Sequence, residues 1–489
     1  MAKSEPSVIR GALTNVVMRW TDRLISFVST IILARLLVPD DFGIIAMAYV
    51  LIELVNVFLD LGVHVALIQN REASQDHYDS AWTLRLIQTS LATMIVFLSS
   101  PLAAVYFKDP RVTPVLQVLC FSFLLGGLEN IGVITFQKEM KFGLEFRFSF
   151  LKRIIGFVIT IVAALLLRSY WALVIGTIMG RMFGVALSYV LHSMRPKLSV
   201  KKFREIFAVS QWMVVRSCSF FLESSLHKII VGRRETSSVM GAYTLANEIS
   251  ALPTTELLAP LNRVLFPLFV QVKHDLLELK RVFLLSQELQ VLVGLPASVG
   301  LALVANEVVR LMLGEKWLIA IAYIQILAIV NVITSITTSG GYVLLTLGRI
   351  RTLAVYAWIQ VAFFAVGAFF VFPTGGAMKI AWLRLIISLA GIVLFPWLLM
   401  QALPVLRLWD MLRSVLRPLI AVGAMAVCVT SLGSLAGIPL LLVLLIKIVI
   451  GALSYIIVEL FLWRIVGRPE GAESYILAKI GFSRFLVSS

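Results

Sequence analysis

Between Ile31 and Val50 the chain reads IILARLLVPDDFGIIAMAYV, two apolar runs parted by about ten residues that include Arg35, Pro39, Asp40, Asp41 and Gly43. Each run extends outward for roughly 20 residues, enough for a helix to cross the hydrocarbon core of a bilayer. The insert cannot lie in lipid, where adjacent carboxylates and a proline-interrupted backbone would go unsatisfied. A tight hairpin at a membrane surface is therefore predicted. Composition agrees: 60% of residues are hydrophobic and 14% charged, whereas soluble domains run near a quarter charged. Mean hydropathy is +0.95.

The alternation continues along the chain and predicts an all-α polytopic membrane protein with about fourteen spans. They fall at about 13–37, 43–69, 80–107, 112–136, 148–168, 170–193, 206–231, 239–270, 281–305, 318–347, 352–372, 378–402, 412–436 and 438–464. A counterpart of the first hairpin appears at Val231–Ala251, VGRRETSSVMGAYTLANEISA. Arg35, Gly43 and Ala48 repeat there as Arg233, Gly241 and Ala246, offset by 198 residues. Leu116-Gln117-Val118-Leu119 is echoed by Ile324-Gln325-Ile326-Leu327 at an offset of 208. Two related halves are a common transporter plan. The expected division is an N-terminal lobe over 1–200, a C-terminal lobe over 201–403, and two extra helices with a tail over 404–489.

Basic residues concentrate in short loops. Lys138, Lys141, Arg147, Lys152 and Arg153 mark one, and Arg195, Lys197, Lys201, Lys202 and Arg204 the next. The positive-inside rule puts these loops and both termini in the cytoplasm. The first apolar run is broken by Arg19, Asp22 and Arg23 without a small-residue cleavage site after it, so an uncleaved first helix is expected. The net charge of +16 is explained by orientation and anionic lipid head groups rather than by nucleic acid. The tail from Pro469 to Ser489 is too short and polar to span, and reads as an interfacial helix or a frayed end.

Charges at membrane depth normally face a protein interior or a watery cavity. Arg19 and Arg23 share a helical face, with Asp22 placed to pair with Arg19. Glu53 and Asp60 lie two turns apart, with His64 one turn further; Glu129 follows a Gly-Gly pair. Arg216, Glu223 and His227 stripe one span. The next holds Glu248, Glu256 and Arg263, with Pro253, Pro260 and Pro267 spaced to bend it. Two readings stand for the acids Asp22, Glu53, Asp60, Glu129, Glu223 and Glu256: coupling to a proton or sodium ion, or pairing between helices. The arginines Arg19, Arg23, Arg216 and Arg263 are candidates for an anionic, phosphate-bearing substrate. Lys447 and Glu459 in the last span look like incidental charges on a lipid-facing helix.

Nothing in the pattern calls for catalysis. No phosphate-binding glycine loop with lysine, nucleophile elbow or histidine pair at metal spacing occurs, and no connection is long enough for a catalytic domain. Cys120, Cys218 and Cys428 fall inside spans as packing residues. No cofactor, no metal and no nucleic-acid partner is expected.

The LARLLVPDDFG hairpin, the helix GIIAMAYVLIELVNVFLDLGVHVALIQ after it and the loop FQKEMKF at 136–142 resemble Wzx-type oligosaccharide flippases. These belong to the multidrug/oligosaccharidyl-lipid/polysaccharide exporter superfamily, and the resemblance is nearest to the colanic-acid-exporter branch. It is strongest over about the first 270 residues. It implies two six-helix lobes plus two helices, working by alternating access in a bacterial inner membrane. The implied substrate is an undecaprenyl-diphosphate-linked oligosaccharide, moved to the periplasmic leaflet for surface polysaccharide synthesis. Implied partners are membrane lipids, a polymerase and assembly proteins. The lipid II flippase branch uses arginines of its first and eighth helices, and Arg19, Arg23 and Arg263 hold similar places here. The alternatives are a multidrug or toxin cation antiporter, expected to have an acidic cavity, and a membrane glycosyltransferase or polymerase, expected to have a long catalytic outer loop.

Overall fold

Long apolar runs become long helices because a backbone in lipid must satisfy its own hydrogen bonds. The computed structural model describes residues 5–59, 67, 74–139, 141–202, 211–433, 437–469 and 471–479, with the side chains of 5–19, 22, 58–59, 142, 211–217, 219–220 and 477–479 outside that description. The elements are all helices, with no strand among the described residues. The chain resolves into two compact units, Met1–Gly241 and Ala242–Ser489.

In the first unit α1 is Glu5–Leu36, α2 Pro39–Leu59 and α3 Gln75–Phe107. Three short helices follow, α4 (Val112–Leu119), α5 (Phe121–Leu128) and α6 (Ile134–Lys138), then α7 (Phe142–Leu167), α8 (Trp171–Leu191) and α9 (Gln211–Arg234). Next, α10 (Ser237–Leu252) begins in the first unit and ends in the second. The second unit continues with α11 (Ala259–Val272), α12 (Leu276–Leu303), the short α13 (Ala305–Val308), α14 (Ala320–Thr346) and α15 (Ile350–Val366). It closes with α16 (Ala377–Ala402), α17 (Leu408–Ser431), α18 (Leu440–Ile465) and α19 (Ala472–Lys479).

Among the described residues nine helices are long and apolar enough to cross a membrane, and ten if Val112–Leu128 and Ile131–Lys138 make one path bent by 66°. The bend has a local cause. Asn130 leaves the helix, caps the next turn by accepting from Gly132 N at 2.9 Å, and gives its own N–H to Ser188 Oγ at 3.0 Å. The expected proline bends in 239–270 appear as a break: α10 ends before Pro253, a π-helical turn covers Pro253–Leu257, and α11 restarts with Pro260 in its first turn.

The predicted hairpin forms at Leu36–Pro39. Asp41 closes it, its carboxylate accepting from Val38 N at 3.1 Å and from Tyr170 N at 2.8 Å. The echoed hairpin is packed on it reciprocally. A β-carbon on Gly43 would enter the Ser237 backbone, and one on Gly241 the Pro39 backbone. Each glycine meets the first residue of the other helix, so exchanging the two helix starts reproduces the contact. The second echo is also positional: Leu116 is the fifth residue of α4 and Ile324 the fifth of α14, and both are buried.

Helices α7 and α8 meet through small residues four apart, as lipid-embedded helices do when dispersion replaces the hydrophobic effect. Gly176, Gly180 and Gly184 face Thr160, Gly156 and Lys152 in antiparallel order. The chain after α8 runs extended and is strapped to the start of α3. Asp79 Oδ1 accepts from Lys197 N at 3.1 Å, Thr83 Oγ1 from Ser199 N at 2.9 Å, and Ser80 Oγ from Lys202 N at 3.1 Å. The second unit has an aromatic core of Phe269, Phe283, Tyr356 and Phe395, with the last two rings 5.0 Å apart.

The last helix corrects one expectation. Lys447 is not incidental: its Nζ lies 2.6 Å from Glu307, and both side chains are nearly covered. Glu459 is buried as well. The tail helix α19 is held by an Arg417–Glu473 ion pair of 3.0 Å and by Ala472 N donating to Glu288 at 3.0 Å.

Gly43→Val is expected to cost about 1–3 kcal/mol or more, because the Ser237 backbone cannot yield to a new side chain. Gly143→Ala, with nothing within 4 Å, should be neutral. Melting temperatures of the two purified variants in detergent test the contrast.

Candidate functional site

Membrane depth selects which charged groups can matter, since each must find a partner or a watery space. The anticipated cations are only partly visible. Arg19 and Arg216 lie on helices α1 and α9 with side chains outside the described residues, as does Asp22. Arg23 is exposed on α1 in the first unit. Arg263 is exposed on α11 in the second unit. Asp60 and His64 lie outside the described residues.

The visible acids are engaged in different ways. Glu53 on α2 accepts from Ser225 Oγ on α9 at 3.1 Å. Glu129, where α5 ends, receives Lys152 of α7 at 2.8 Å, with side-chain exposures of 12% and 24%. Glu256 sits in the π-helical turn and accepts from Thr255 Oγ1 at 3.2 Å. Glu223 and Glu248 are exposed on their helices, and His227 is buried. These contacts tie Glu53 and Glu129 across helices.

Several further groups at depth carry no pattern in the sequence. Arg85 on α3 and Arg181 on α8 join Glu129 and Lys152 inside the first unit: a β-carbon on Gly126 would stand 3.8 Å from Arg181 Nη1, and the charges of Glu129 and Arg181 both act on Arg85. Three-dimensional convergence was needed to find them, because in sequence each is a lone charge in an apolar run. The glycines were the available signal: Gly184 leaves room for the Lys152 stem to cross α8 on its way to Glu129. In the second unit Arg384 donates to Asn247 Oδ1 at 2.9 Å, Asn331 Nδ2 to Ser250 Oγ at 2.9 Å, and Gln290 Nε2 to Asn262 Oδ1 at 2.8 Å. These amide and hydroxyl pairs give that unit a polar seam between α10, α11, α12, α14 and α16.

At the hairpin end of the first unit a second polar group gathers. Arg111 donates to both carboxylate oxygens of Asp40, at 2.6 and 3.2 Å, and to Asp109 at 2.8 Å, and reaches Ser237 Oγ at 3.1 Å. Ser237 Oγ also donates to Asp40. The hydrogen bond from Arg111 holds the Asp40 carboxyl below the usual carboxylate range, against a smaller opposing effect of burial. Its partners, Asp109 first, push Arg111 further up. Nearby, Arg233 donates to the carbonyls of Val105 and Tyr106 at 3.1 and 2.6 Å, capping the end of α3. The clasp joins both hairpins to the connection between α3 and α4.

No group of three or more histidine, cysteine or acidic residues placed for a metal ion occurs among the described residues.

Two outcomes follow from these pairs. Lys152→Met is expected to lower stability by about 1–3 kcal/mol by taking the ion-pair partner from the largely covered Glu129. Glu129→Gln in the same chain should recover most of that loss in thermal melts; a double variant as unstable as the single would sink the pairing account. The clasp predicts acid sensitivity. Because the folded Asp40 carboxyl titrates below its unfolded value near 3.9, its contribution is present above that value and fades as pH falls through the folded one. Arg111 is 41% exposed, so screening limits the effect to about 1 kcal/mol or less. Melting profiles from pH 6 to pH 3 should be flatter for Arg111→Gln than for the natural chain.

Comparison with known proteins gives the context for this geometry. The profile of the family described as "Polysaccharide biosynthesis protein" matches residues 32–322. The teichuronic acid biosynthesis protein TuaB of Bacillus subtilis (strain 168) is 24% identical over 378 residues, covering 76% of this chain and 78% of its own length. The lipopolysaccharide biosynthesis protein WzxC of Escherichia coli (strain K12) is 25% identical over 334 residues, 67% of each chain. Among solved structures, the lipid II flippase MurJ in an inward closed conformation superposes with a TM-score of 0.74 at 14% identity, covering 93% of this chain and 99% of that one.

Proposed function

The chain belongs to the polysaccharide biosynthesis protein family, and from that premise we propose that it is a flippase for a lipid-linked oligosaccharide. It carries an undecaprenyl-diphosphate-linked repeat unit from the cytoplasmic to the periplasmic leaflet of a bacterial inner membrane. Cycling is by alternating access of two lobes, residues 1–200 and 201–403, with 404–489 as an accessory pair of helices and tail. Both termini face the cytoplasm in this reading, and the cargo passes on to a polymerase and its assembly proteins. The protein moves its cargo without making or breaking a bond in it.

The observation that carries the reading is the family match across residues 32–322, which spans both echoed hairpins. A shared fold with MurJ supports it. The chemistry is consistent: a diphosphate crossing a low-dielectric region needs compensating charge, and arginine supplies it through paired hydrogen bonds. Arg19, Arg23, Arg216 and Arg263 are the residues assigned to that task. Asp22, Glu53, Asp60, Glu129, Glu223 and Glu256 are assigned to ion coupling or helix pairing.

Complementation of polysaccharide export in a strain lacking its own flippase tests the proposal. Arg23→Ala and Arg263→Ala should each reduce export by about ten- to a hundredfold at unchanged protein level, the effect of one lost charge-assisted contact. Arg23→Lys should fall between. Normal export by both alanine variants would overturn the arginine assignment, and no export by the natural chain, in strains offering different repeat units, would overturn the transport reading.

A further inference from the structure

Three cations of the first unit lie deep along their helices. Arg85 stands ten residues along α3 from Gln75, Lys152 ten along α7 from Phe142, and Arg181 at the centre of α8. At 1.5 Å per residue each lies about 15 Å inside its helix. Glu129 is taken by Lys152 at 2.8 Å. Neither Arg85 nor Arg181 has a carboxylate within ion-pair distance among the described residues. Arg85 feels the charge of Glu129 first and that of Arg181 second, and the like charges of the two arginines disfavour one another.

Arg181 points into the bundle. It shares its helical face with Thr177, whose Oγ1 is 3.4 Å from Tyr49 Oη, and with Ser188, which accepts from Asn130 N. Its guanidinium borders Gly126 of α5. Arg181 is nevertheless exposed, so its guanidinium stays within reach of a ligand. An independent observation sits on α3. Gln88, one turn from Arg85, is 9% exposed, and its Nε2 donor has no partner among the described residues. Two guanidinium forks and a buried amide donor, on α3 and α8, thus have no hydrogen-bonded acceptor among the described residues. Lipid tails offer none.

We infer that Arg85, Arg181 and Gln88 form an oxyanion site inside the first unit, taking a phosphate-type group presented by a lipid. A phosphate brings several acceptor oxygens and up to two negative charges, enough to engage both guanidinium forks. Its residues are other than the four arginines assigned to the cargo diphosphate, Arg19, Arg23, Arg216 and Arg263. Its phosphate chemistry stands on the contacts above, and its lipid source rests on the proposed transport function.

The test uses the full chain in phosphatidylcholine nanodiscs, with three probes: undecaprenyl diphosphate, phosphatidylglycerol mixed into the disc, and free inorganic pyrophosphate. Undecaprenyl diphosphate or phosphatidylglycerol should raise the melting temperature, and Arg85→Gln or Arg181→Gln should weaken that binding about ten- to a hundredfold. Arg85→Lys, keeping the charge, should retain part of it. Removing a charge that has no ion-pair partner among the described residues should also raise the melting temperature of the unliganded protein; a fall in both glutamine variants would mark the arginines as helix ties and overturn the site. Unchanged affinity in both variants would overturn it too, and binding of pyrophosphate alone would overturn the lipid source. If the natural chain exports polysaccharide but binds no probe, the site fails and the transport reading stands. Binding through Arg85 and Arg181 without export would uphold the site and remove the transport reading.

Discussion

Two helix starts, Pro39–Gly43 and Ser237–Gly241, meet backbone to backbone, and much of the first unit is arranged around that crossing. Contact this close needs hydrogen in place of a side chain on both sides, and the glycines at 43 and 241 supply it. Once the helix starts touch, Asp40 and Ser237 fall beside each other and Arg111 can serve both. Phe107 fits against Gly232 and Arg233 caps the same helix end. The clasp is thus a product of the crossing, with charge adding direction to an approach that shape permits.

Elsewhere small residues serve polar ones. Gly184 lets the Lys152 stem pass between α7 and α8, and the stem ends at Glu129. Gly126 leaves the space that the Arg181 guanidinium borders. In a membrane, where apolar burial drives helices together weakly, such close passages decide which charges meet. This makes the interior of the first unit a place where charge is both possible and positioned. The second unit achieves a comparable polar interior through amides, with Asn247, Asn262 and Asn331 each holding a partner.

Spans and hairpins were legible in the sequence because length and hydropathy are one-dimensional quantities. The predicted 80–107 and 378–402 became Gln75–Phe107 and Ala377–Ala402. The echo of Arg35, Gly43 and Ala48 was legible too, although its reciprocal contact needed coordinates. The break after Glu129 was missed, since Asn130 acts through a hydroxyl 58 residues away at Ser188. Lys447 was misread as incidental because its partner Glu307 lies 140 residues earlier. Charges that pair over such separations leave no local pattern, and a lone Arg85 or Arg181 in an apolar run looks the same whether it ties helices or meets a ligand.

The strap after α8 is gripped through its main chain. Asp79, Ser80 and Thr83 take the N–H groups of Lys197, Lys202 and Ser199 respectively, and the strap's side chains add an exposed Lys201–Asp76 ion pair of 3.3 Å. A segment held this way tolerates replacement of its residues but not a change in their number. Any residue except proline offers the same N–H, whereas one inserted or deleted residue would put every later donor out of step with its acceptor. Relatives of this chain can therefore vary in letter along 197–202 while keeping its length.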